Sequence, residues 1–392
     1  MSAPLPPDGF LGFTRKTTAP GVRNHVAILS LSGLENGAAR AIHRLFPQAV
    51  LITSMYGRGH VGRDLAFQRH MMAALATHPN VGGCLVLGPD DKRVAAVVDP
   101  VAEAGRPCMG LSLQGVDEDR FALIEKGARA VTRLIHETSR QQRTPHPLSA
   151  LSIAVECGHS DATSGLVANP LVGHLACRVV ADGGRAVFSE TIEWTGTEDI
   201  LARRAVSRDV ADAIRAAMAE RHAFALSRGH DVQTNNPGPQ NHDGGITTLE
   251  EKSLGAIAKG GDQPIVGLLG EGDAFPDQPG LYLMDTPTFS PESITSMIAA
   301  GAQLALFTTG QGNPYGSALA PTIKVSANPD TTARLGEQID FDASAVVTGE
   351  TTSEALAPAL HGLLLQVAGG ALTWSEAVGE TAESISRLEG SV

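Results

Sequence analysis

Aromatic residues are scarce, at 4% of a 392-residue chain, and only two are tryptophan. A stacking platform for single-stranded nucleic acid and a β-sandwich core both draw on aromatics, so this composition suits neither. Positive charge is also short. Thirty Lys and Arg face 42 Asp and Glu, the formal net charge is −12, and no basic stripe offsets it. Binding to a phosphate backbone is therefore not expected. The four cysteines, Cys84, Cys108, Cys157 and Cys177, form no CxxC pair. That argues against a zinc ribbon or a disulfide framework and fits a reducing compartment. The N-terminal MSAPLPPDGF lacks the basic-then-apolar order of a signal peptide. No stretch reads as a membrane span. The expectation is a cytoplasmic protein without nucleic-acid or membrane partners.

What is present is an ordinary globular mix, 42% hydrophobic and 18% charged, with 43 glycines. The length favours two domains over one core. Short apolar runs at 26–31, 50–53, 84–87 and 108–113 read as buried strands. Helical patterns at 34–46, 64–77, after Asp91 and at 118–138 alternate with them. The polar, proline-bearing stretch 139–147 breaks this alternation and reads as a linker. Beyond it come strand patterns at 151–155, 186–188, 264–268, 281–284, 304–307 and 322–325. Helices at 166–182, 209–227 and 247–259 lie between them, and two more follow Glu350. Such βα alternation predicts an α/β fold of two Rossmann-like parallel-sheet domains, residues 1–148 and 149–392, the second carrying most of the site.

Ligands in parallel α/β sheets bind beyond the carboxyl ends of the strands. The residues at those ends are Gly33, Glu35 and Asn36, then Glu156, Cys157, His159 and Asp161, then Glu190, Asp285, Thr308, Thr309 and Gln311. The stretch from Glu156 to Asp161 is the densest cluster. Cys157 or His159 could ligate a divalent metal with Asp161 orienting the site, or Ser160 and Asp161 could simply cap the next helix. The segment 231–245, DVQTNNPGPQNHDGG, is longer and richer in amides than an idle loop needs to be. Glu250, Glu251 and Lys252 open the next helix behind Thr247 or Thr248. A desolvated Lys252 could act as a base, though a capping box with a surface charge looks the same in sequence. Gly57-Arg58-Gly59-His60-Val61-Gly62 fits GxGxxG between a strand and a helix, which supports a nicotinamide-dependent dehydrogenase as an alternative. Its position after the second strand and the abundance of glycine weaken that alternative.

Several stretches together resemble the altronate/galactarate dehydratase family, which also includes sulfolactate sulfo-lyase large subunits. They are GVRNHV from Gly21, HPNVGGCLVLG from His78, ECGHSDATSGLVANPLVG from Glu156 and NPGPQNHDGGITTLEEKSLGAIAKGG from Asn236. LYLMDTP, LFTTGQGNPYG and PTIKVSAN follow in the same order. The resemblance implies elimination of water, or of sulfite, from a hydroxylated or sulfonated acid with a divalent metal, Fe²⁺ or Mn²⁺. The α-proton of a carboxylate is weakly acidic, so the aci-carboxylate needs strong charge stabilisation. On this expectation His25, Cys157 and Asp285 hold metal, with Glu250 or Glu251 also eligible. Lys252, Glu251 and Asp161 act catalytically, and Arg23, Asn169, Asn236, Thr308, Thr309 and Lys324 bind substrate.

The chain departs from the family pattern at His159, at Gly88-Pro89-Asp90-Asp91 and around His60, all near presumed substrate loops. Single-chain relatives carry a small β-rich domain before the GVRNH stretch, and about twenty residues stand there in this chain. A separately encoded small β-rich subunit and an oligomer are the expected partners beside the small hydroxy-acid substrate. A sugar-acid-binding subunit without turnover is the non-catalytic alternative.

Overall fold

The computed structural model describes residues 9–57, 60 and 62–387. Its strands are β1 (Gly9–Gly12), β2 (His25–Ser30), β3 (Val50–Thr53), β4 (Val81–Gly88), β5 (Cys108–Ser112) and β6 (Thr144–Pro147). They continue as β7 (Ser152–Cys157), β8 (Arg185–Phe188), β9 (Ile265–Leu269), β10 (Gly280–Met284), β11 (Leu304–Thr308), β12 (Thr322–Ser326) and β13 (Phe341–Asp342). Two parallel sheets result, in the orders β3-β2-β4-β5 and β13-β12-β11-β7-β8-β10-β9. Every residue of β4 and of β7 is buried, as strands covered on both faces must be. The α/β expectation with parallel sheets holds.

The stretch read as a linker is pinned down, because β6 pairs antiparallel with β1. One apolar core also joins the sheets. Leu29, Ile52 and Met71 of the first half share it with Val187, Met284 and Ile298 of the second. By length and composition the helical run Ser164–Ala181 is apolar enough to cross a membrane, contrary to the sequence reading. In the fold it is a core element: a π-helical turn (Ser164–Ala168) leads into an α-helix (Asn169–Ala181) that packs on β7 and β8.

At the amino ends of the strands the two sheets meet through polar side chains that engage backbone carbonyls. Asn80 donates to the carbonyls of Gln303 and Leu319, and His78 Nε2 lies 3.0 Å from that of Ala302. Arg23 makes a bidentate pair with Glu376, at 2.7 and 2.9 Å, and reaches the carbonyls of Val367 and Ala371. His25 opens β2 beside this seam. Arg23 and His25 therefore stand at the end of β2 opposite the ligand-binding tips, about 20 Å away for a strand of this length.

Burial pushes His25 down to about 4, helped by Arg23, and burial pushes His78 down to about 3. Below the ordinary histidine value the unfolded chain binds protons at these positions that the folded chain refuses. Stability should therefore fall as pH drops from about 6.5 toward 4, by on the order of 5 kcal/mol for the two histidines. Urea midpoints measured across that range check this. A flat profile, or an equally steep one in His25→Gln, would show that the seam does not hold neutral histidines.

Candidate active site

The larger sheet starts at β7, proceeds to β8 on one side and later returns to β11 on the other. The crevice beyond the tips of β7 and β11 is thus a topological switch point. A cavity of about 770 Å³ opens there, lined by Cys157, His159, Glu190, Glu193, Lys252 and Asn313 among others. The segment expected to be a long loop forms part of its wall, folded into two short helices, Val232–Asn235 and Pro239–Asp243. Asn241 organises it, accepting from Gly238 N and donating to the Ser160 carbonyl.

A buried set of charges borders this cavity. Glu156, on β7, has no exposed surface, and the equally buried Lys259 reaches it from the turn Ala258–Gly260 at 2.7 Å. Glu156 also accepts from Cys157 N at 2.9 Å, Ser189 Oγ at 3.2 Å and Ser293 Oγ. Lys252, on the helix Leu249–Ile257, pairs with Glu193 at 2.7 Å and donates to Asn236 Oδ1 at 2.7 Å. Glu190 follows β8, with its Oε2 buried 4.0 Å from Lys259 Nζ and without a hydrogen-bond partner. Three carboxyls and two ammoniums therefore share one water-poor site.

The structure brings some of the expected residues here and not others. Lys252, Asn236 and Cys157 line the cavity. Burial alone would lower Lys252, but the Glu193 carboxylate beside it outweighs that and holds the ammonium above the usual lysine value. In the resting site Lys252 is thus a cation rather than the free base expected. Burial raises the Cys157 thiol, which lies 2.7 Å from Ser160 Oγ. Asp161 accepts from Ser164 N and from Asn328 Nδ2, so it caps the following helix. Glu251 is exposed and accepts from Thr247 N and Oγ1, while Thr248 is the N-cap. Both carboxylates face a neighbouring cavity, together with Glu250 and Asn169.

Thr308 donates to Asn169 Oδ1 at 2.5 Å, and Thr309 Oγ1 accepts from Gly312 N, so these hydroxyls brace the tips. Lys324 donates to the Pro314 carbonyl at 2.6 Å, and burial lowers it to about 8. Asp285 accepts from Thr191 Oγ1 and from Arg221, another cavity residue. Glu35 belongs to the other sheet's tips, where Ser32 donates to it. Arg58, Gly59 and Val61 of the GxGxxG match lie outside the described residues.

The expected metal set does not assemble. His25 is at the far end of the strands, Cys157 faces Ser160, and Asp285 is taken by Arg221 and Thr191. Among the described residues, no group of three or more His, Cys, Asp or Glu side chains is arranged to hold a metal ion. These residues do not fit the divalent ion implied by the family resemblance.

Sequence reasoning passes over Glu193 and Lys259. Glu193 is one 3₁₀ turn beyond the tip residue Glu190, which is its available signal. Lys259 reads in sequence as a cation ending a helix. Replacing it with Met should leave Glu156 buried without a counter-ion and cost about 3–5 kcal/mol in urea unfolding. Glu251→Gln, at an exposed position, should stay within about 1 kcal/mol. Equal effects would remove the distinction drawn between the two sites.

Both halves of the chain match known families. A family model described as D-galactarate/altronate dehydratase, C-terminal, matches residues 148–390. One described as D-galactarate dehydratase/altronate hydrolase, second domain, matches residues 12–139. The (2R)-sulfolactate sulfo-lyase subunit beta of Chromohalobacter salexigens is 34% identical, over 97% of this chain and 97% of that protein. The altronate dehydratases of Escherichia coli and Bacillus subtilis are 31% and 32% identical. Those matches cover 91% and 93% of this chain and 73% and 74% of the relatives.

Proposed function

The chain belongs to the D-galactarate/altronate dehydratase family and is a lyase, and we propose that it eliminates water from a small hydroxylated sugar acid. The supporting observation is the cavity at the strand tips, where the Lys252–Glu193 pair stands beside Glu190, Glu156 and Lys259. In this reading the Lys252 ammonium binds the substrate carboxylate and stabilises the negative charge that grows on it as the α-proton leaves. Glu193 takes that proton; its Oε2 is buried without a partner. The electron pair of the C–H bond forms the double bond, and the β-hydroxyl departs and is protonated to water. The resulting enol ketonises to a 3-deoxy-2-oxo acid.

One observation favours a second reading. The match to the sulfo-lyase subunit covers nearly all of both chains, whereas the altronate dehydratases extend well beyond theirs. The same α-deprotonation of a 3-sulfo-2-hydroxy acid would expel sulfite with the electrons of the C–S bond. The relative's name, a subunit, also supports a separate partner chain for this protein.

A panel of sugar acids and sulfonated hydroxy acids, with and without added Fe²⁺ or Mn²⁺, separates these readings by 2-oxo acid and sulfite release. Oxo acid without sulfite from a sugar acid is the expected result, and Lys252→Met should lower turnover about 100-fold or more. Sulfite release from the sulfonates alone would replace the first reading by the second. Neither product, with a partner chain supplied, would overturn both.

A further inference from the structure

Glu156 and Glu190 differ in what surrounds their carboxyls. Glu156 accepts hydrogen bonds from Lys259, Cys157 N, Ser189 and Ser293, a set that stabilises a charged carboxylate. Glu190 has one oxygen buried with no hydrogen-bond partner, and its nearest cation is 4.0 Å away, already paired to Glu156. The carboxyl with fewer donors is the one that keeps a proton. The ion pairs point the same way, because the two ammoniums contact Glu193 and Glu156 at 2.7 Å and leave Glu190 without a cation at contact.

The backbone holds Glu190 in place for this. Its φ of 69° and ψ of 68° put a non-glycine residue in the left-handed region. The Glu190 amide donates to Thr286 Oγ1 at 3.0 Å, and the side chain lines the cavity that Glu193 and Lys252 also line.

We propose that Glu190 rests as the neutral acid of the cluster and is the proton donor to the leaving oxygen. This rests on the elimination reading above. As the C–O bond breaks, Glu190 passes its proton to the departing hydroxyl, which leaves as water. The α-proton taken by Glu193 then returns to Glu190 through the shared cavity, so the proton count closes over one turnover. Burial, with the charges of Glu156 and Glu193, also pushes Glu190 well above the usual carboxyl range.

Melting temperatures and turnover of Glu190→Gln and Glu156→Gln test this. Gln mimics a neutral acid, so Glu190→Gln should melt within about 2 °C of wild type at neutral pH. Glu156→Gln strips Lys259 of its counter-ion and should melt about 5 °C lower. The reverse order would put the proton on Glu156 and overturn the proposal. Glu190→Gln should also lose about 100-fold or more in kcat on the hydroxy acid. A β-chloro analogue, whose chloride leaves without a proton, should be spared, staying within about tenfold of wild type. Unchanged turnover of the hydroxy acid, or equal loss on both substrates, would overturn the donor role. If wild type turns over none of these acids, the elimination reading fails, while the two melting temperatures still decide which carboxyl is neutral.

Discussion

An ammonium without exposed surface survives in a protein only beside an anion that is itself well solvated by donors, and the Lys259–Glu156 pair meets that condition. The arrangement of the site follows from it. Glu156 ends up saturated by Lys259, two serines and a backbone amide, which leaves Glu190 without enough donors to stay charged. Lys252 in turn needs Glu193. These five groups come from β7, the segment after β8 and the segment 249–260, so the charge balance also fixes how those elements meet.

Much of the fold was legible because parallel strands buried on both faces must be continuous apolar runs, and such runs are visible in VGGCLVLG or LALFT. The tip residues Glu156, Cys157 and Glu190 were legible for a related reason, since strand ends mark the ligand side of the sheet. The pairing of charges was not. Arg23 does hold a carboxylate, but that of Glu376, 353 positions away, a partner no local pattern announces. The position of Lys252 was legible but its charge partner was not, because whether a lysine is base or cation depends on the carboxylate it meets, and Glu193 arrives from a different segment. Asp161 and Glu251 fit both a catalytic and a capping pattern, and hydrogen bonding to the helix starts takes them up.

The two ends of the strands have opposite tasks. At the amino ends, Asn80, His78 and Arg23 engage carbonyls and one carboxylate, which locks the sheets together. At the carboxyl ends, Glu190 and Glu193 each keep a buried oxygen without a hydrogen-bond partner. Unsatisfied buried oxygens cost stability, and a protein tolerates them where a ligand or a proton transfer makes use of them. The rigid seam at one end lets the other end retain that cost without the sheets shifting to relieve it.

The charge of the whole chain, −12, opposes the approach of an anionic acid only weakly, because of screening. Exposed carboxylates more than about 8 Å away are largely masked at physiological ionic strength, whereas Lys252 acts at contact inside a poorly screened site. In the proposed elimination, a substrate carboxylate arriving there competes with Glu193 for the same ammonium. As it takes over that pairing, Glu193 is released from Lys252 to receive the α-proton. Binding the substrate and readying the base are then one event, and the neutral Glu190 beside them adds no further negative charge against the incoming anion.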